Sequence, residues 1–265
     1  MTDPSQNTFK ILSIDGGGIR GVFPAAFLSK CQQQLDKPIH RYFDLITGTS
    51  TGGMIALYLA LGKPIDEILQ LYRNEGATIF GKRFGGMLRA LFGSIYSNDA
   101  LIAILKHIFK DKTLNDACCR VCIPSVDLVS GKAKVFKTPH HDEYFEDYKL
   151  PIWIIAAATT AAPVYFPPFH SDRKTVYADG GLWANNPAFV GLAEAMKLGF
   201  SPANIRILSL GTGSTVFHKR CQDNGAGILS YWRLGRALVD IGFLAQSQGV
   251  VNSLNYIMGN TTVRL

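Results

Sequence analysis

The chain lacks most of what secreted, membrane-spanning and metal-dependent proteins require. Its five cysteines are an odd number, and the one C-x-x-C spacing, Cys119 to Cys122 in "CCRVC", has no second pair at zinc spacing. The polar opening "MTDPSQNTFK" has no apolar core of a secretory leader. Free thiols in a reducing cytoplasm are therefore expected rather than a disulfide framework. Neither an H-E-x-x-H motif nor an EF-hand loop occurs, so no metal site is expected, and no cofactor. Acidic residues are the scarcer charge, 20 against 27 Lys and Arg, for a net charge of +7. That excess suits an anionic partner such as a phospholipid surface, and solubility accounts for it equally well. No nucleic acid is expected as a partner.

Long apolar runs are also scarce. The exception is "LPIWIIAAATTAAPVYFPPF", Leu150 to Phe169, 20 residues without a charge. A spanning helix needs about 20 apolar residues. Pro163, Pro167 and Pro168 interrupt the second half, and an interior proline costs a helix about 3 kcal/mol. The segment reads as a short buried helix followed by an extended turn, not as a membrane span.

Glycine is plentiful, at 26 of 265 residues, and strand-like and helix-like stretches alternate. "FKILSID", "YFDLIT", "RVCIPSVDLV", "KAKVFKT", "TVYADGG" and "NIRILSLGTG" read as strands. "GVFPAAFLSKCQQQL", "GGMIALYLAL", "PIDEILQLYRNEG" and "NPAFVGLAEAMKLGF" read as helices. The pattern predicts a single α/β domain over residues 1–265, with a mostly parallel central sheet and helices on both faces. Residues 1–8 are expected to be flexible. The last residues, "NTTVRL", read as a strand that stops abruptly, as if the natural chain continued past Leu265.

Two glycine-rich joints carry the chemistry. In "ILSIDGGGIRGVF" three consecutive glycines, Gly16, Gly17 and Gly18, follow a strand and precede a helix, with Arg20 and Gly21 just beyond. Gly16 to Gly21 also spells G-x-G-x-x-G, but the acid at the nucleotide-binding spacing, Asp36, falls in a helix tail rather than at a strand end. The better reading is an anion cradle of backbone N–H groups at a helix N-terminus, suited to an oxyanion. In "FDLITGTSTGGMIALYLALG", Gly48-Thr49-Ser50-Thr51-Gly52 is G-x-S-x-G between a strand and a helix. Such an elbow strains the serine backbone and needs small neighbours. It exposes the hydroxyl at a helix start, where the N–H of Thr51 can also meet a reacting oxygen. The blander reading is a Ser/Thr helix cap.

A serine nucleophile needs a base. Asp127 ends a strand in an ordinary context. Asp179, in "VYADGGLWANNPA", stands against Gly180-Gly181 at a strand end. Among the histidines, His218 obeys the order Ser, acid, His of an α/β-hydrolase triad, and His170 does not. His40, His107, His140 and His141 look solvated.

"DGGGIRG", "GTSTGG", "ATTAAPVYFPP", "ADGGLWANNP" and "LSLGTG", in this order from Asp15 to Gly213, together resemble the patatin-like phospholipases. The resemblance implies a lipid acyl hydrolase with a Ser-Asp dyad: Ser50 as nucleophile and Asp179 as general base. It implies an oxyanion cradle from the backbone of Gly16, Gly17 and Gly18, with Arg20 beside it, no metal, and a glycerophospholipid or related acyl ester as substrate. The rival readings are a Ser50-Asp179-His218 triad and a non-catalytic module that binds lipid or nucleotide. A peripheral membrane association is expected. The stretch "TIFGKRFGGMLRALFGSIY", Thr78 to Tyr96, mixes apolar residues with Lys82, Arg83 and Arg89, as an interfacial segment would.

Overall fold

A computed structural model describes residues 8–81, 96–172, 174–213 and 228–265. Residues 1–7, most of the stretch from Thr78 to Tyr96 with its three basic residues, and His218 lie outside the described residues.

Eight strands form one sheet: β1 (Phe9–Ile14), β2 (Leu45–Gly48), β3 (Arg120–Asp127), β4 (Lys132–Lys137), β5 (Phe169–His170), β6 (Val176–Asp179), β7 (Ile205–Leu210) and β8 (Thr262–Arg264). β1 runs parallel to β2 and β7, β2 to β3, and β7 to β8. The remaining pairs, β3 with β4, β3 with β6 and β5 with β6, are antiparallel. The sheet is therefore mixed, its parallel part gathered around β1. Connection length explains two of these pairs, β3 with β4 and β5 with β6. The turns 128–131 and 171–175 are too short for a crossover helix, so their strands must fold back as hairpins.

The edge of β3 holds the arrangement on which the site depends. β4 covers one edge from Cys122 to Asp127. The other edge is shared end to end, with β2 against Arg120–Cys122 and β6 against Ser125–Asp127. Because β6 runs opposite to β2, the carboxyl ends of the two strands point at each other.

Strand residues alternate between two cores, as the twofold period of a strand requires. Leu12, Ile14, Ile46, Val121 and Ile123 face one layer, formed by α1 (Val22–Gln32), α2 (Thr51–Ala60), α3 (Ile65–Gly81), α4 (Asn98–Phe109) and α5 (Ile152–Thr160). Phe9, Ile11, Leu45, Cys122 and Ile207 face the other, with α7 (Ala188–Lys197) and α8 (Ile228–Met258). A short helix, α6 (Gly181–Ala184), leads from β6 towards α7. All of α2 is buried, as befits a helix that is apolar or small on every side. α5 is the buried half of the uncharged segment, and its second half turns away as the prolines predicted. Among the described residues no helix is long and apolar enough to cross a membrane.

Candidate active site

Ser50 stands between the end of β2 and the start of α2 with φ 56° and ψ −125°. A non-glycine residue in that region is strained, and the turn persists only because its surroundings hold it. A β-carbon on Gly48 would lie 2.2 Å from the Gly52 carbonyl oxygen, and one on Gly52 would lie 2.3 Å from that of Ile14. Both motif glycines are thus demanded by contact between β1, β2 and α2. The Ser50 amide donates to Thr159 Oγ1 at 3.0 Å, and Thr159 Oγ1 donates to the Pro124 carbonyl at 2.6 Å. Thr49 Oγ1 donates to the Ala184 carbonyl at 2.6 Å. The elbow is therefore braced from α5 and α6 as well as from its own turn. Sequence reasoning did not reach Thr159, although "ATTAAP" was among the motifs that drew attention.

Asp179 ends β6 opposite Ser125. Thr47 pairs with Cys122 and Asp179 with Ser125 on the same edge of β3, so the end of β2 that leads into Ser50 and the end of β6 that carries Asp179 meet there. The Asp179 side chain is fully buried. Its Oδ1 accepts from the Gly181 amide at 2.7 Å, while Oδ2 makes no regular hydrogen bond among the described residues. Burial pushes the carboxyl up to about 7, against the opposing pull of the Ser50 hydroxyl and the Gly181 amide. The Ser50 hydroxyl is near enough to exert that pull, though the contact falls short of regular hydrogen-bond geometry.

The glycine loop after β1 lies beside them. A β-carbon on Gly16 would stand 3.2 Å from that of Ser50. The Gly16 amide, however, donates to the Asn185 carbonyl at 3.0 Å, and Thr212 Oγ1 donates to the Gly16 carbonyl at 3.0 Å. Gly16 is thus the loop's anchor. The amides of Gly17, Gly18 and Thr51 have no acceptor among the described residues, and all three residues line the same cavity as Ser50 and Asp179. Arg20 is exposed at the rim, with Nε 3.4 Å from the Gly17 carbonyl. Gly21 packs against Tyr72, and Gly180 against the Pro124 carbonyl.

The cavity measures about 350 Å³, within the range of small-molecule sites. From the polar end at Ser50 it runs between Met54, Leu101, Phe166, Phe243 and Leu244. Tyr165 closes part of its wall, donating to both carboxylate oxygens of Asp240 on α8 at 2.8 and 3.0 Å. The cavity thus brings a serine hydroxyl and unpartnered amides together with an apolar lining.

Other sequence candidates fall elsewhere. Asp127, the last residue of β3, braces the turn that follows, accepting from Ser130 Oγ at 2.7 Å and from the Val129 amide at 2.9 Å. Asp36 binds Tyr42 on the surface. His170 is exposed on β5, and His107 is exposed as expected. His40 and His140 are not solvated. His40 is 7% exposed, and the His140 side chain is 6% exposed, its Nε2 3.0 Å from Glu194. Charged-loop sequence concealed both because their cover comes from distant segments. Burial alone would raise Glu194, but His140 and Lys137 outweigh it and hold the carboxyl at about 2. Cys122, His140 and Glu194 bring possible metal-ligand atoms within 4.8 Å of one another. Both Glu194 oxygens are already engaged there, one by Lys137 and one by His140. Cys31, Cys118, Cys119 and Cys122 are free thiols, and burial pushes Cys119 up to about 12.

The strand-end serine elbow, the buried aspartate and the glycine loop, which line one cavity, form a site of the hydrolase kind. Residues 12–192 match the family model described as patatin-like phospholipase. The chain belongs to that family, and its relatives mark it as a lipid-hydrolysing enzyme. It is 38% identical over 263 residues to a cGAMP-activated phospholipase of Pseudomonas aeruginosa, covering 96% of this chain and 76% of that one. A cGAMP-activated phospholipase of Vibrio cholerae is 36% identical over 259 residues, covering 88% and 73%. Among solved structures, VipD from Legionella pneumophila superposes with a TM-score of 0.50 at 13% identity, over 81% of this chain and 51% of that one. The chain thus spans about half the length of that structure, and the likeness is one of fold.

Proposed function

We propose that the protein hydrolyses acyl esters of glycerophospholipids or related lipids with a Ser50-Asp179 dyad. Asp179 Oδ2 takes the Ser50 proton as Oγ attacks the ester carbonyl. The amides of Gly17, Gly18 and Thr51 receive the oxyanion, aided by the positive end of α2. As the carbon–oxygen bond to the leaving alcohol breaks, Asp179 returns the proton to that alcohol. Water then attacks the acyl-serine, with Asp179 again taking the proton and passing it to Ser50 Oγ as the Oγ–acyl bond breaks, which releases fatty acid and restores the free serine. The carrying observation is Asp179 itself: a fully buried carboxyl raised to about 7, without an ion pair among the described residues, lining one cavity with a strained serine. That is the environment a carboxylate base requires near neutral pH.

A triad through His218 and a non-catalytic lipid- or nucleotide-binding module are the rivals. Fatty-acid release from mixed-lipid vesicles separates them. Ser50→Ala should abolish release and Asp179→Asn should lower it by roughly 10²–10⁴-fold, while a binding module would release none with the native residues in place. A triad would make His218→Ala as damaging as Asp179→Asn.

A lipid surface is the natural partner. Ile19 lines the cavity, and Phe23 follows it by one turn. Leu238 and Ile241 flank Asp240 on α8. All four are large apolar side chains at least 40% exposed, on the segments that line the cavity or adjoin it in sequence. This supports peripheral association of a cytoplasmic protein with membranes. Because the two bacterial relatives carry the name cGAMP-activated phospholipase, we extend activation by cGAMP to this chain. Addition of cGAMP should raise the hydrolysis rate, and a rate unchanged at saturating nucleotide would rule that extension out.

A further inference from the structure

The glycine loop after β1 has no side chains with which to anchor itself, so whatever holds its ends sets the direction of its amides. One end is Asp15, whose side chain is 3% exposed. Arg264, on β8 and 249 positions away, meets it with two nitrogens: Nη1 to Oδ1 at 2.8 Å and Nη2 to Oδ2 at 2.6 Å. The same Nη1 donates to Ser209 Oγ on β7 at 2.8 Å. One guanidinium therefore ties the carboxyl ends of β7 and β8 to the residue that follows β1. From Asp15 the contacts continue through Ser247 Oγ, 3.3 Å from Oδ2, to Asn185 Nδ2 at 3.0 Å. The Asn185 carbonyl is the group that receives the Gly16 amide. Both ends of this short circuit converge on Gly16, one residue before the unpartnered amides.

Burial pushes the Asp15 carboxyl up, and Arg264 works against that push. Without the guanidinium the carboxylate would be left buried and unpaired. It would have to take up a proton or shift, and Gly16 would follow. A two-pronged Arg–carboxylate pair fixes orientation as well as charge, which a lysine ammonium does not.

We infer that Arg264 is a positioning residue for the oxyanion loop, holding the Gly17 and Gly18 amides in line through Asp15. The inference rests on the catalytic reading of Ser50. Misaligned amides weaken the transition state more than the bound substrate, so the cost falls on kcat rather than KM.

The test uses a soluble short-chain ester with wild type, Arg264→Ala and Arg264→Lys, each with its thermal midpoint. Labelling of Ser50 by a fluorophosphonate, read by mass spectrometry, runs alongside. Arg264→Ala should lose about 10–100-fold in kcat with KM little changed, and added methylguanidinium should restore part of that loss. Arg264→Lys should recover less than the guanidinium does, and wild type should not respond to it. Wild-type kcat in a folded Arg264→Ala overturns the inference. So does a loss that methylguanidinium fails to repair, since that leaves only a structural role. If Arg264→Ala does not fold, Arg264→Lys decides: wild-type kcat overturns the inference, and a kcat loss at unchanged KM supports it. A wild type that, with cGAMP present as well as without it, neither hydrolyses ester nor labels at Ser50 instead defeats the catalytic reading itself.

Discussion

At the scale of single residues, the Asp179 carboxyl governs the pH response. A base must be ionised to accept the Ser50 proton, so hydrolysis should rise with pH through about 7 and level off above it. A pH–rate profile of kcat on a soluble ester checks this, and a limb near 4 would mean that burial does not tune this group. Stability should move the other way. The folded value, about 7, lies above the ordinary 3.8, so the native state holds this proton more tightly than the unfolded chain does. The associated stabilisation is complete below about pH 4 and is lost as pH rises towards 7. Asp179→Asn, which cannot ionise, should therefore melt higher than wild type at pH 8, with the gap closing under acid.

At the scale of elements, β1, β2 and α2 meet with no room for a β-carbon at the elbow. Gly52→Ala would press a methyl against the Ile14 carbonyl. The clash should cost about 1–3 kcal/mol in urea unfolding and lower activity by shifting Ser50. Leu101 on α4 lines the cavity together with Met54 on α2 and Phe243 on α8, and Leu101→Trp should fill space that an acyl chain would use. Comparing esters of increasing chain length should show the long-chain preference shifting to shorter chains, with short-chain turnover preserved.

For the molecule as a whole, the relation between surface and site predicts how substrate is met. Substituting Phe23 and Leu238 by Gln should weaken binding to phosphatidylcholine vesicles and slow hydrolysis there, because insertion of apolar side chains drives interfacial binding. Turnover of a dissolved ester should be unchanged. Equal losses on both substrates would show that these side chains support the fold rather than the membrane contact. Serine acyl transfer needs no Lewis acid, so activity on a soluble ester should survive dialysis against EDTA; a loss that calcium repairs would reveal a metal requirement.

The sequence by itself determined the local machinery. Strand, turn and helix around Ser50 follow from G-x-S-x-G between two apolar runs, because only small residues survive that close approach. The layer arrangement followed from the alternation of strands and helices, and the prolines after Ala162 ended α5 as their chemistry requires. Tertiary structure decided the rest. Two of the antiparallel pairs were implicit in short connections but were overshadowed by the parallel pattern. It is the end-to-end packing of β2 and β6 on one edge of β3 that brings Asp179 to the Ser50 elbow. α8 went unread because Gly235, Gly242 and Gly249 punctuate it, each an unfavourable helix residue, yet its Phe243 and Leu244 line the cavity. The capture of Gly16 by Asn185 and of Asp15 by Arg264 joins residues too distant for any local period to announce. Local spacing could set the geometry of Ser50 because sterics within one turn impose it. The proton affinity of Asp179 and the alignment of the glycine loop depend on burial and on distant partners, and those exist only once the chain has folded.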